Sequence, residues 1–187
     1  DRSVCGMPSH ARRSPSCRTC SNVAGVTEIR VHPNWRGAVG NANNGDLALL
    51  RVNRAFVNNN KVALASDPSH TPGDGGTAVI RGWGRTDSDG PPSTLTNELL
   101  GLTQTITSSG CPAGHVCAVA TATQGVCNGD SGGPLRSPGA DGQWRQVGIT
   151  SYVSTRQQGA CTGAGPDGYT RVANYINWIQ DNAGVGL

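Results

Sequence analysis

This sequence is poor in aromatics, in charge and in helical periodicity. Phenylalanine, tryptophan and tyrosine supply 4% of its 187 residues, so a core must rest on Val, Ile, Leu and Ala. Charged residues are 14% of the chain, the net charge is only +3, and the arginines are scattered. Nucleic-acid binding calls for a basic stripe, and none is present, so no such partner is expected. No apolar run approaches the roughly 20 residues of a membrane-spanning helix, so no membrane contact is expected either. The opening DRSVCGMPSH holds no apolar segment of a secretory leader. CRTC at 17–20 has the spacing of half a zinc site, but no second Cys-x-x-Cys or His pair complements it. No metal and no cofactor is therefore expected.

What is abundant is glycine, 27 residues, and proline, 11, interspersed with Asn, Ser and Thr. That mixture reads as short strands joined by turns, hence an all-β barrel or sandwich. The length suits one domain or two small ones. Seven cysteines in so short a chain point to an oxidising compartment, and an odd number leaves at least one thiol unpaired. Residues 1–25 carry Arg2, Arg12, Arg13 and Arg18 and show no apolar–polar alternation, so they read as an irregular N-terminal segment. From residue 26 the pattern changes. VTEIRVH (26–32) alternates as a half-buried strand does. DLALLRV (46–52), TAVIRGWG (77–84), HVCAVA (115–120), WRQVGITSY (144–152) and GYTRV (168–172) add further strand signals. Near the C-terminus Val172, Tyr175, Ile176 and Ile179 fall at i, i+3, i+4 and i+7, one apolar face of a helix that Gly184 would stop.

GVCNGDSGGPL, residues 125–135, fits neither pattern. Glycines at 125, 129, 132 and 133 leave it little helix or strand propensity, and it surrounds Ser131 with backbone freed for unusual conformations. Taken singly, Ser131 could be a turn serine and Asp46 a strand-start aspartate. Together with their neighbours they form an ordered set. GDSGGPL (129–135) resembles the nucleophile loop of the chymotrypsin-like, or trypsin-family, serine proteases. GDLALLRV resembles that family's catalytic-aspartate strand, and VHPNW (31–35) the segment before it. RGWGRT (81–86) resembles the start of the second barrel, GITSYV (148–153) the substrate-binding strand, and PDGYTRVANYINWI (166–179) the last strand and terminal helix.

The resemblance implies two antiparallel Greek-key β-barrels, the first truncated, with a C-terminal helix. The protease domain would span 26–187, its incomplete first barrel reaching about residue 75. It implies a secreted serine endopeptidase working through an acyl-enzyme at Ser131. Asp46 would orient the base, and the Gly129 and Ser131 N–H groups would form the oxyanion hole. Peptide or protein substrates, protein protease inhibitors and a monomeric state follow as expectations.

The family's base histidine sits in a string like TAAHC, which this sequence lacks. His32 matches a non-catalytic position, His70 lies in a turn-like stretch, and His115 sits near a cysteine pair. His10 is the one histidine upstream of every matched strand, but without the strand before it or the cysteine after it. Counting back from Asp46 brings Cys5 near the cysteine that normally follows the histidine, with Val4 in the histidine's place. An IVGG-like terminus, whose amino group would pair with Asp130, is also missing. A garbled or incomplete head, or a non-catalytic homologue acting as a binding module, are the two ways to read this.

By the same resemblance Gly125 occupies the base of the specificity pocket, without the acidic residue of trypsin-like members. Val153 falls on its wall, Asp167 at its back, and Ser151 to Val153 would pair with substrate backbone. The trio resembles neutrophil elastase and its relatives and implies cleavage after small aliphatic residues; the alternative is that Asp167 receives a basic side chain. Without the resemblance Val153 reads as an ordinary strand valine. Cys127–Cys161 and Cys111–Cys117 match family disulfides, while Cys5, Cys17 and Cys20 have no assigned pairing.

Overall fold

The computed structural model describes residues 3–5, 23–37, 41, 44–56, 61–86, 96–121, 124–153, 161 and 165–184, with backbone alone at 3–5 and 23. In chain order the strands are β1 (Ser3–Cys5), β2 (Val23–Val31), β3 (Ala48–Val52), β4 (Ala63–Leu64), β5 (Thr77–Gly82), β6 (Leu100–Thr107), β7 (His115–Val119), β8 (Pro134–Pro138), β9 (Trp144–Val153) and β10 (Pro166–Arg171). Short 3-10 turns cover Pro68–His70 and Val172–Tyr175, and α1 is Ile176–Ala183.

Two sheets follow from this. The smaller has the order β1-β2-β3. The larger runs β10-β7-β6-β5-β8-β9, and β10 also pairs with β9, which closes six antiparallel strands into a barrel. Its Greek-key-like reordering and the terminal helix match the expected all-β architecture, with the first sheet as the partial barrel. β4 adds a parallel pairing to β9, Ala63 opposite Arg145. None of the described helices is long and apolar enough to cross a membrane.

Within 1–25, read from sequence as irregular, Ser3–Cys5 pairs antiparallel with Val23–Gly25, Cys5 opposite Val23 and Val4 opposite Ala24. Three residues are too few for alternation to register in sequence, which is why the pairing was illegible. His10, Cys17 and Cys20 lie outside the described residues.

Alternation places the core. Ala78 and Ile80 of β5, Ile106 of β6, Val116 and Ala118 of β7, Leu135 of β8, Val147 of β9 and Tyr169 of β10 are buried inside the barrel. A second cluster joins the two halves, with Leu47 packed against Val172, Tyr175 and Ile179. Three of the four residues predicted to form the helical face are thus buried, and Ile176 is half-buried. The segment begins as a 3-10 turn and becomes α-helical only at Ile176. Gly184 ends it in the left-handed conformation at φ 67°, its N–H bonding the Gln180 carbonyl, a position where glycine carries no Cβ penalty.

Candidate active site

The loop around Ser131 is held from both sides by its own backbone. Asp130 N–H bonds the Cys127 carbonyl at 3.0 Å, and Gly133 N–H bonds the Asp130 carbonyl at 2.9 Å. Gly132 N–H reaches the Thr150 carbonyl at 2.9 Å, and Thr150 returns its N–H to Gly133 O at 2.9 Å and its hydroxyl at 3.1 Å. Gly129 at φ 100° and Gly132 at φ 79° occupy backbone regions that side chains disfavour, which explains the glycines on either side of the Asp-Ser pair. Ser131 itself is exposed at the loop's tip.

Asp130 points inward. Its carboxylate accepts from Gly84 N at 2.9 Å and Cys127 N at 3.0 Å. Gly82 and Gly84 make room for it, since a Cβ at either position would collide with the carboxylate. Two backbone N–H groups therefore solvate the half-buried charge for which the resemblance implied an α-amino partner. The cue lay in RGWG, two glycines alternating at a strand end.

Asp46 arrives from the smaller sheet. Its Oδ2 accepts from the Ser151 hydroxyl at 2.7 Å, and its carbonyl accepts from the Thr170 hydroxyl at 3.0 Å. The approach depends on Gly45, at φ 64°, whose N–H donates to the Tyr175 hydroxyl and whose Cβ position is filled by the His32 ring. The buried His32 packs edge-on against Tyr175 and Trp178, each 4.9 Å between ring centroids, and its Nδ1 accepts from Asn34 N. Desolvation lowers its pKa below the usual histidine value. Ser131's loop and Asp46 are thus fastened to consecutive residues of β9, Thr150 and Ser151.

The pocket trio is also contiguous. Val153 stands directly opposite Asp167 in the β9–β10 ladder. Asp167 is fully buried, and its Oδ2 accepts from Val126 N at 3.1 Å, next to Gly125, and from Gln104 Nε2 at 2.6 Å. Gln104 Oε1 in turn accepts from the buried Tyr169 hydroxyl at 2.5 Å. Val153 is 40% exposed. Both expected disulfides are formed: Cys127–Cys161, Cα atoms 5.0 Å apart, and Cys111–Cys117, 5.6 Å apart. Sequence reasoning missed Gln104 and Thr150; nothing marks a buried glutamine inside LGLTQTIT except its place on the apolar face of an alternating run.

Residues 9–179 match the family model described as Trypsin. The chain belongs to the trypsin family. The match starts within the segment that sequence reading had set apart from the domain. Among its trypsin-family relatives, fibrinolytic enzyme isozyme C of Lumbricus rubellus is 34% identical over 87% of this chain and 72% of its own length. Proproteinase E of Bos taurus is 36% identical over 82% of this chain, and chymotrypsin-like elastase family member 3B of Homo sapiens likewise. The chain spans 63% and 59% of these last two. A solved trypsin-family structure, neuropsin, a serine protease of mouse brain, superposes with a TM-score of 0.71 at 26% identity, covering 87% of this chain and 72% of that one.

Proposed function

We propose that the chain is a secreted serine endopeptidase domain in which Ser131 attacks the scissile carbonyl of a peptide or protein. The observation that carries this reading is the anchoring of the Ser131 loop and of Asp46 to neighbouring residues of one strand, in a chain of this family. Ser131 Oγ would form the acyl-enzyme, its proton passing to an imidazole oriented by Asp46. The N–H groups of Gly129 and Ser131 would take the developing oxyanion, one such donor being worth roughly 3–4 kcal/mol in the transition state. Ser151–Val153 would pair with the substrate backbone. Two disulfides suit an oxidising, extracellular compartment. A monomer regulated by protein inhibitors completes the reading.

Small aliphatic side chains are the proposed specificity. Gly125 brings no charge, Val153 narrows the entrance, and the Asp167 oxygen facing Val126 already accepts two hydrogen bonds. Each methylene in such a pocket discriminates by about 1–3 kcal/mol, so the preference should be graded.

No hydrogen bond joins a described histidine to Asp46, whose Oδ2 accepts from Ser151 instead. His32 packs on Tyr175 and Trp178, His70 belongs to the 3-10 turn, and His115 is buried against Tyr152. Hydrolysis therefore needs an imidazole from outside the described residues, either His10 or one on a longer head. This same fact favours the second reading, a non-catalytic homologue that binds a partner. A fluorophosphonate that labels activated serines separates the two. An N-terminally extended chain carrying an AAHC segment and a free IVGG-like terminus should label at Ser131 and cleave after Ala or Val. An extended, folded chain that neither labels nor cleaves would establish the binding-module reading.

A further inference from the structure

Alternation along two neighbouring strands turns one set of side chains out of the barrel. Ala78 and Ile80 of β5 and Leu135 of β8 are buried in the core, so Val79, Arg81, Pro134 and Arg136 project to the outer face. Val79 stands opposite Arg136 in the β5–β8 ladder. Trp144 of β9 flanks β8 on its other side, opposite Pro138. Val79, Arg81, Pro134, Arg136 and Trp144 line one open groove of about 480 Å³. None of the five belongs to the candidate active site.

The two arginines lean apart across this face, where the strands run β6-β5-β8-β9. Arg81 lies over Gly101 of β6, its Cγ 3.7 Å and its Nε 3.8 Å from where a Cβ on that glycine would stand. Arg136 leans toward β9, its Cζ 5.6 Å from the centre of the Trp144 ring. Val79 and Pro134 are left between them as an apolar floor. Both arginines are exposed, and neither forms an ion pair among the described residues. No carboxylate lines the groove, and Trp144 is 44% exposed. Tryptophan and arginine around an apolar centre are the composition of an interface hot spot.

We propose that this groove docks an extended segment of a partner protein in which two carboxylates flank apolar side chains. The carboxylates meet the guanidinium groups of Arg81 and Arg136, and the apolar side chains lie on Val79 and Pro134 against the edge of Trp144. From β6 to β9 the groove crosses three strand spacings, roughly 14 Å, which about four extended residues span. A sulfated glycan would leave the apolar floor unused, because it has no apolar side chain to set there. Nothing in the proposal depends on Ser131 being reactive.

Fluorescence anisotropy of the intact chain with a fluorescein-labelled Gly-Glu-Leu-Leu-Glu amide tests it. Saturable binding is expected, and the same peptide with glutamine for both glutamates should bind at least tenfold more weakly. Arg81→Gln and Arg136→Gln should each weaken binding about tenfold, the loss of a hydrogen bond to a charged group. Trp144→Ala should do the same without changing the charge. All three positions are exposed, so the fold should stand, and a urea melt of each variant checks it. Arg36→Gln, on the loop after β2, removes one charge elsewhere and should leave the affinity unchanged. Three results would overturn the proposal: a loss with Arg36→Gln equal to that with Arg136→Gln, an affinity indifferent to Trp144→Ala, or a heparin tetrasaccharide that binds through Arg81 and Arg136 where the peptide does not.

Discussion

Replacing the buried Gln104 by leucine should be among the most damaging single changes in the barrel. Gln104 is 4% exposed and bridges two fully buried groups, donating to Asp167 Oδ2 and accepting from the Tyr169 hydroxyl. A hydrogen bond to a charged group contributes roughly 1.5–3 kcal/mol, and depriving a buried hydroxyl of its acceptor costs about 1 kcal/mol or more. Asp167 keeps the Val126 N–H, so its charge is not stranded entirely. The sum is a loss of about 3 kcal/mol. For a chain of this size that lowers Tm by roughly 6–12 °C. Urea melts of the disulfide-intact protein at neutral pH, read by tryptophan fluorescence, measure it directly. Gln104→Glu should be worse than Gln104→Leu, since it sets a second carboxylate beside Asp167 in a dry interior. Because Val126 N shares the same carboxylate oxygen, amide exchange at residues 125–127 should also accelerate in both variants. A cost under 1 kcal/mol for the leucine variant, or a glutamate variant that equals it, would show that Asp167 does not depend on Gln104.

Removing Cys127–Cys161, which spans 34 residues, should cost about 4 kcal/mol by loop entropy against about 2 kcal/mol for Cys111–Cys117, which spans 6; paired chemical melts of the two double-alanine variants check the order. Asp141 is held below the usual carboxylate range by hydrogen bonds from Arg145, so this contribution to stability is present above about pH 4 and fades as pH falls; carboxyl NMR of Arg145→Met should show the Asp141 midpoint rising. Burial lowers the pKa of His32 in the folded chain, so as pH falls below about 6.5 the unfolded state takes up the proton first and stability drops. His32→Phe should flatten that part of the pH–stability curve, and an unchanged slope would argue against a buried neutral ring. The chain as written should leave Ser131 almost unlabelled by fluorophosphonate, because loss of a triad member leaves only ~10³–10⁴-fold catalysis over water; rapid labelling would assign the base to His10 and refute the need for a longer head.

The strands with strong alternation were legible from the residues, and both disulfides through the family resemblance. The glycines at 129 and 132 answer to a local demand, a positive φ. β6 escaped notice because its inward positions include Gln104, so a polar letter interrupts the apolar period although the residue is buried. β1 was too short to show a period at all. The support of Asp130 could not be deduced either, since its partners are backbone N–H groups, which every residue but proline owns.

A closed barrel has no edge, whereas the β1-β2-β3 sheet keeps open edges among the described residues and leaves Ile29, Val31 and Leu50 each about half exposed on one face. The two candidate catalytic side chains therefore stand on materials of unequal durability. Ser131, its glycine cradle and the positions Gly125, Val153 and Asp167 belong to the closed ring, whose amides should exchange only through global opening. Asp46 rides on the open sheet and is tied to the ring by two side-chain hydroxyls, those of Ser151 and Thr170. Fluctuations of the open sheet would carry the aspartate away and back while the nucleophile loop stays built. Competence would then be intermittent, set by how often the lesser half is folded rather than by the chemistry of the serine.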